Sequence, residues 1–137
     1  MKLFMDTNIV MDYVENREPF VVYALSLFQM GYERVHQLYV SDLTFANIAY
    51  ITRKDLTRDK LYELLEGLCS VLHVTSIGEQ SVMMAVRLRA KDFEDALQYF
   101  SAKECGADCI ITRNKKDFYF SDLPVYTPEE FLHSENF

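Results

Sequence analysis

Short β-type runs recur along the chain, each followed by a longer segment with helical spacing, and this alternation restricts the fold more than any other feature. The runs are Lys2 to Met5, Gln37 to Val40, Val71 to Val74, Cys109 to Thr112 and Val125-Tyr126. Asn8 is placed to cap a helix over Ile9 to Val14. Pro19 opens a helix over Phe20 to Met30, with Val21, Ala24, Leu25 and Phe28 on its inner face and Gly31 as its stop. Ser41 caps Leu43 to Thr52, and Leu56 to Cys69 carries Leu61, Leu64, Leu65 and Leu68 at core spacing. Helices over Gly78 to Leu88 and Phe93 to Glu104 follow. The latter has the apolar stripe Phe93, Ala96, Leu97 and Phe100. Thr127-Pro128-Glu129-Glu130 begins a last helix with a cap, a proline at its first position and an acidic first turn, whereas His133 to Phe137 carries no structural signal. Strands that alternate with helices predict an α/β fold: a three-layer α/β/α sandwich around a central, mostly parallel sheet.

The 137 residues, half of them apolar, are expected to form a single domain over 1–137 with a substantial core, which excludes disorder as the main state. No repeat or Gly/Ser linker divides them. Asp6 interrupts the first apolar run, so no signal peptide is expected, and no run approaches the roughly 18 apolar residues of a membrane span. Cys69, Cys105 and Cys109 lack metal-ligand spacing and suit small core positions in a reducing, cytoplasmic setting. His36, His73 and His133 are scattered, which argues against zinc. The formal net charge of −7 excludes a protein that coats nucleic acid by charge alone. Basic residues are nevertheless locally concentrated, in Arg53-Lys54 with Arg58 and Lys60, in Arg87, Arg89 and Lys91, and in Arg113 with Lys115 and Lys116.

In an open parallel sheet, ligands bind outside the carboxyl ends of the strands. Polar clusters follow three of the runs: Asp6-Thr7-Asn8, Ser41-Asp42, and Arg113-Asn114-Lys115-Lys116-Asp117. With Asn8 as cap, Asp6 is left to point across the sheet edge. As an alternative, Asp6 serves as an Asx-turn or cap residue joining strand to helix. A haloacid-dehalogenase-like phosphatase would also have an aspartate here, but needs a second one two residues on, where Asn8 stands. Asp92 and Asp95 fit a reciprocal capping pair at a helix start, and the same geometry aims Asp95 outward as a metal ligand requires. Asn47 lies in an almost wholly apolar helix, where its amide either satisfies backbone groups or faces the polar edge. Aspartates gathered from separate elements repel one another unless protons or a cation neutralise them. Hard divalent ions such as Mg²⁺ or Mn²⁺ prefer such oxygen ligands.

These residues resemble a known family. Leu3-Phe4-Met5-Asp6-Thr7-Asn8-Ile9 resembles the opening strand of PIN-domain ribonucleases, and Asp92-Phe93-Glu94-Asp95-Ala96 resembles their central acidic helix start. Asp108 to Phe118, with Thr112-Arg113-Asn114-Lys115-Lys116-Asp117 at its heart, resembles their closing strand and loop. In size and plan the chain is similar to the stand-alone VapC-type toxins of toxin–antitoxin pairs. The resemblance implies an Mg²⁺- or Mn²⁺-dependent endoribonuclease acting on RNA, often a homodimer, held inactive by a cognate antitoxin protein. It implies Asp6, Asp95 and Asp117 as metal-site carboxylates, joined by Asn114 directly or through water, and Thr112 as a supporting hydroxyl. Asn8, Asn47 and Asp92 support the site, and Arg113 and Lys115 meet RNA phosphate. For Lys115 and Lys116 the alternative is a solvated charge run.

Two positions depart from the family pattern. An acid is usual on the helix after the second strand, where this chain offers Asn47. An aspartate is often found two residues after the threonine, where Asn114 stands. Fewer anionic ligands weaken cation binding. A catalytically degenerate domain that binds RNA or a protein without cutting is therefore the alternative function.

Overall fold

The computed structural model describes residues 1–135. Five strands, β1 (Lys2–Met5), β2 (Gln37–Ser41), β3 (Leu72–Thr75), β4 (Cys109–Ile111) and β5 (Val125–Tyr126), form one sheet in the order β3-β2-β1-β4-β5, every pair parallel. The helices are α1 (Thr7–Val14), α2 (Val21–Tyr32), α3 (Asp42–Thr52), α4 (Arg58–Cys69), α5 (Glu79–Leu88), α6 (Phe93–Glu104) and α7 (Pro128–Glu135).

Leu3 to Met5 of β1 and Cys109 to Ile111 of β4 are consecutively apolar because both faces of these strands are covered. Leu3, Met5, Cys109 and Ile111 point into a core built with α1, α2, α3, α4 and α7, where Ile9, Leu27, Phe28, Ile48, Leu68 and Phe131 are buried. The alternate residues Phe4 and Ile110 point the other way, onto Tyr99 and Ala102 of α6 and onto Phe118. α5 packs on α6 in that second layer. The expected α/β/α sandwich is present, and its sheet is wholly parallel.

Several local expectations are corrected. α1 begins at Thr7 with Asp6 as the residue before it, so Asn8 lies inside the first turn and is not the cap. Leu25 is 49% exposed, and Leu27 takes the inner position instead. Gly31 does not stop α2, which runs to Tyr32. A Cβ on Gly31 would lie 2.6 Å from Leu38 Cδ1 and 3.1 Å from Val71 Cγ2, so this glycine lets the helix approach β2. On α6 the inner face is Ala96, Gln98, Tyr99, Ser101 and Ala102, and Phe93 is exposed. α7 continues through His133 to Glu135; its start is a capping box in which Thr127 N–H donates to Glu130 Oε1 at 2.9 Å and Glu130 N–H donates to Thr127 Oγ1 at 3.1 Å. Asn136 and Phe137, the rest of that segment, lie outside the described residues. A 3₁₀ turn at Lys115–Phe118 was not signalled by periodicity.

Candidate active site

The chain winds from β1 outward through β2 to β3, then returns to place β4 and β5 on the other side of β1. The switch point of the sheet therefore lies between β1 and β4, where a crevice opens at the carboxyl ends of the strands. Asp6 follows β1 and Thr112 follows β4. The two are stitched by a backbone bond from Asp6 N–H to Ile111 O at 3.0 Å and by Thr112 Oγ1 donating to Asp6 Oδ2 at 2.9 Å. The crevice is a cavity of about 320 Å³ lined by Asp6, Asn8, Asn47, Asp92, Asp95, Asn114 and Asp117, together with Thr7, Tyr50, Ile51 and Glu94.

Each acid reaches the cavity for a local reason. Asp6 takes its position from the end of a fully buried strand, and is itself only 7% exposed. Asp92 caps α6: its Oδ1 accepts from Asp95 N–H at 3.0 Å. Only that half of the expected reciprocal pair forms among the described residues, and the Asp95 carboxyl lines the cavity instead. Asp117 sits on the 3₁₀ turn, which its N–H closes onto Asn114 O at 3.0 Å and which buried Phe118 pins to the second core.

This crowding of carboxyls is felt electrostatically. Burial pushes the Asp6 carboxyl above its ordinary value; the bonds from Thr112 and from the Thr7 backbone counter this, while the Glu94 charge adds to it. Asp95 is pushed up to about 7, first by burial and then by the charges of Asp92, Asp6, Asp117 and Glu94. Between the ordinary carboxylate range and neutrality the folded chain therefore holds more proton on Asp95 than the unfolded chain does. The sign follows: stability linked to Asp95 is fully present below about pH 4 and is lost as pH rises through about 7. In thermal melts with a chelator present, Asp95→Asn should match the parent near pH 4 and melt at a higher temperature near pH 8. Equal melting temperatures across that range would show that Asp95 is not under this electrostatic load.

Beneath the acids lies a buried hydroxyl–amide network that the sequence reading missed. Ser41 Oγ donates to Gln98 Oε1 at 2.7 Å, Gln98 Nε2 reaches Thr7 and Thr44 Oγ1 at 3.4 Å each, and those two hydroxyls are 2.9 Å apart. It ties the start of α1, the end of β2 and α3 to α6, one turn beyond Asp95. A polar residue three positions after Asp95 on an inward helix face was the available signal.

Glu94 was also missed. Its place in the first turn of α6 is explained by the helix dipole alone, so nothing local set it apart. Asn47 faces the cavity and donates from Nδ2 to Glu94 Oε1 at 3.0 Å. The amide on α3 is thus paired with a carboxylate from α6.

The expectation that Arg113 and Lys115 meet phosphate is not supported by their contacts, and neither lines the cavity. Arg113 instead donates from Nε and Nη2 to the two carboxylate oxygens of Asp12, at 2.9 and 3.2 Å, and lies 4.0 Å from the Phe20 ring centroid. Asp12 is 1% exposed, and a buried carboxylate needs such a fork. Lys115 pairs with Glu130 at 3.1 Å.

The donor set fits a hard divalent cation: it is made of carboxylate and amide oxygens, with no thiolate or imidazole among them. Among the described residues no three His, Cys, Asp or Glu side chains converge as a ready-made cage.

Comparison with known proteins agrees with this architecture. The sequence profile of the PIN domain matches residues 2–116. The chain is 28% identical to ribonuclease VapC1 of Aquifex aeolicus (strain VF5) over 140 aligned residues, 98% of this chain and 96% of that protein. In fold it is similar to the DNA-bound VapBC structure from Salmonella typhimurium, with a TM-score of 0.72 and 18% identity, covering 93% of this chain and 98% of that one. The VapBC-1 structure from nontypeable Haemophilus influenzae gives 0.70 and 21%, covering 94% and 99%.

Proposed function

This chain belongs to the PIN domain family, and we propose that it is a metal-dependent endoribonuclease, the toxin of a toxin–antitoxin pair. The observation that carries the reading is the arrival of Asp6, Asp95 and Asp117, from three separate elements, at one cavity on the switch point of the sheet. The similarity to a ribonuclease over nearly the whole chain supports it. A cognate antitoxin is proposed from the VapBC complexes that share the fold, and a homodimeric state from the family. Residues 1–137 are proposed to act as one PIN-like domain. No helix among the described residues is long and apolar enough to cross a membrane; the cytoplasm is the proposed site of action.

Asp6 and Asp95 would hold Mg²⁺ or Mn²⁺, with Asp117, Asn114 and Glu94 completing the site directly or through water. The ion, when bound, lowers the pKa of a water and balances charge on the phosphodiester during its displacement. Thr112 fixes Asp6 by donating to Oδ2. Asp92, by capping α6, sets the direction of the helix start that carries Asp95. Asn8 and Asn114 offer amide oxygens at the cavity wall, and Asn47 holds Glu94 in place. Hydrolysis consumes water and leaves one new phosphate end and one hydroxyl end.

Asn47 and Asn114 favour, as the second reading, a degenerate domain that binds without cutting. The Asn47–Glu94 contact weighs against it, because a carboxylate is present beside the amide. The discriminating experiment incubates the purified protein with a panel of single-stranded and structured RNAs in Mn²⁺ or Mg²⁺, with and without chelator. Cleavage that chelator abolishes and Mn²⁺ restores is expected. Intact RNA throughout, together with no calorimetric Mn²⁺ binding, would favour the degenerate reading.

A further inference from the structure

Tyr50 stands at the mouth of the carboxylate cavity, one helical turn after Asn47, and is 65% exposed. The Arg53 guanidinium carbon lies 3.8 Å from the ring centroid, and Arg53 Nη1 is fixed by a 2.6 Å bond to Tyr50 O. The ring thus has a guanidinium against it and keeps most of its surface open. Beyond it the chain exposes Lys54, Arg58 and Lys60, which with Arg53 outnumber Asp55 and Asp59. A second exposed tyrosine also has a lysine beside it, although it does not line the cavity. Tyr119 follows the turn bearing Asp117, its hydroxyl accepts from Lys91 N–H at 3.4 Å, and Lys91 Nζ lies 5.9 Å from its ring centroid.

We infer that the Tyr50 ring, backed by Arg53, is a stacking platform for an unpaired RNA base beside the phosphate addressed by the carboxylates. The inference rests on the ribonuclease reading and assigns to it a base-contacting residue outside the carboxylate set. Aromatic rings interleaved with cations suit single-stranded nucleic acid: every base has a π-face to stack, and the cations follow the phosphates. Inside an A-form duplex the bases are already stacked on each other and cannot reach such a ring. The acidic cavity repels phosphate unless a cation is bound, so contacts outside it must supply attraction for the strand. The ring and the basic segment beyond α3 do so.

The test measures binding of a single-stranded RNA oligonucleotide containing 2-aminopurine, and of its blunt duplex, to full-length protein carrying Asp6→Asn so that the strand stays intact. Adding Tyr50→Ala should weaken single-strand binding by about ten-fold or more and abolish the stacking quench of 2-aminopurine. Tyr50→Phe should retain both within about two-fold. Duplex binding should be the same for all three. Tyr32→Ala, an exposed tyrosine at the opposite sheet edge, should change nothing. With Asp6 present, Tyr50→Ala should raise KM for single-stranded RNA far more than it lowers kcat. Tyr50→Phe failing as Tyr50→Ala does would overturn stacking in favour of the hydroxyl. Dissociation of an oligomer by Tyr50→Ala would overturn it in favour of a protein contact. If the parent cleaves RNA and Tyr50→Ala cleaves it equally, the platform alone is wrong. A parent that neither binds nor cleaves RNA overturns the ribonuclease reading with it.

Discussion

Asp6→Asn is expected to lower RNA cleavage by at least about 100-fold while leaving the fold as stable as before or more so. The two halves of that outcome come from one cause. Asp6 is a 7% exposed carboxyl whose proton affinity is raised by burial, so its charge at neutral pH is held at a cost to folding. An asparagine keeps the size, and its amide oxygen still accepts from Thr112 Oγ1. What it removes is the negative charge that a divalent ion would use. Melting temperature and cleavage rate, measured on the same preparation, should therefore move apart. Undiminished cleavage would place the chemistry elsewhere on the molecule, and a collapse in stability would mean that the aspartate is structural.

Arg113→Ala should do the opposite, destabilising the fold by about 3 kcal/mol. The substitution strands Asp12, which is 1% exposed and takes both of its short bonds from this guanidinium. It also removes the cation from the face of Phe20. Arg17 Nη1, 3.8 Å from Asp12 Oδ1, limits the loss and sets the estimate at the lower end for a broken buried pair. In a chain of this size the melting temperature should fall by roughly 10 °C. Arg113→Lys should recover only part of that, since an ammonium cannot bridge both oxygens. Adding Asp12→Asn to Arg113→Ala should restore much of the lost stability, because no buried charge is then left unpaired. A raised KM for RNA with unchanged stability would return Arg113 to the phosphate-binding role that its position in the chain suggests.

Arg113 shows where the sequence stops being informative. Its location after β4, among other cations, is legible, but its partner is 101 residues away on α1, and no local pattern announces a buried Asp12. The strands were legible for the opposite reason. Leu3-Phe4-Met5 and Cys109-Ile110-Ile111 are covered on both faces, so the demand for apolar residues falls on consecutive positions and leaves a visible run. From the strands follows the edge where Asp6, Asn114 and Asp117 gather, which is why the cavity could be anticipated. Asn8 misled because the first helical residue is decided by backbone geometry immediately after β1, and the available capping side chain did not set it. Glu94 was overlooked because a carboxylate in a first helical turn already has a sufficient local explanation; only the Asn47 contact across 47 residues gives it a second one.

The switch point also puts the site on a clock. Asp6 is separated by 106 residues of chain from Thr112, which fixes it, and Asp117, which joins it, comes later still. Until β4 lies beside β1, the sheet has an open edge at its centre and the crevice has one wall. A nascent or prematurely terminated chain ending before Cys109 therefore carries the first acid and the acidic helix but no assembled centre. The centre is therefore assembled only when β4 docks on β1.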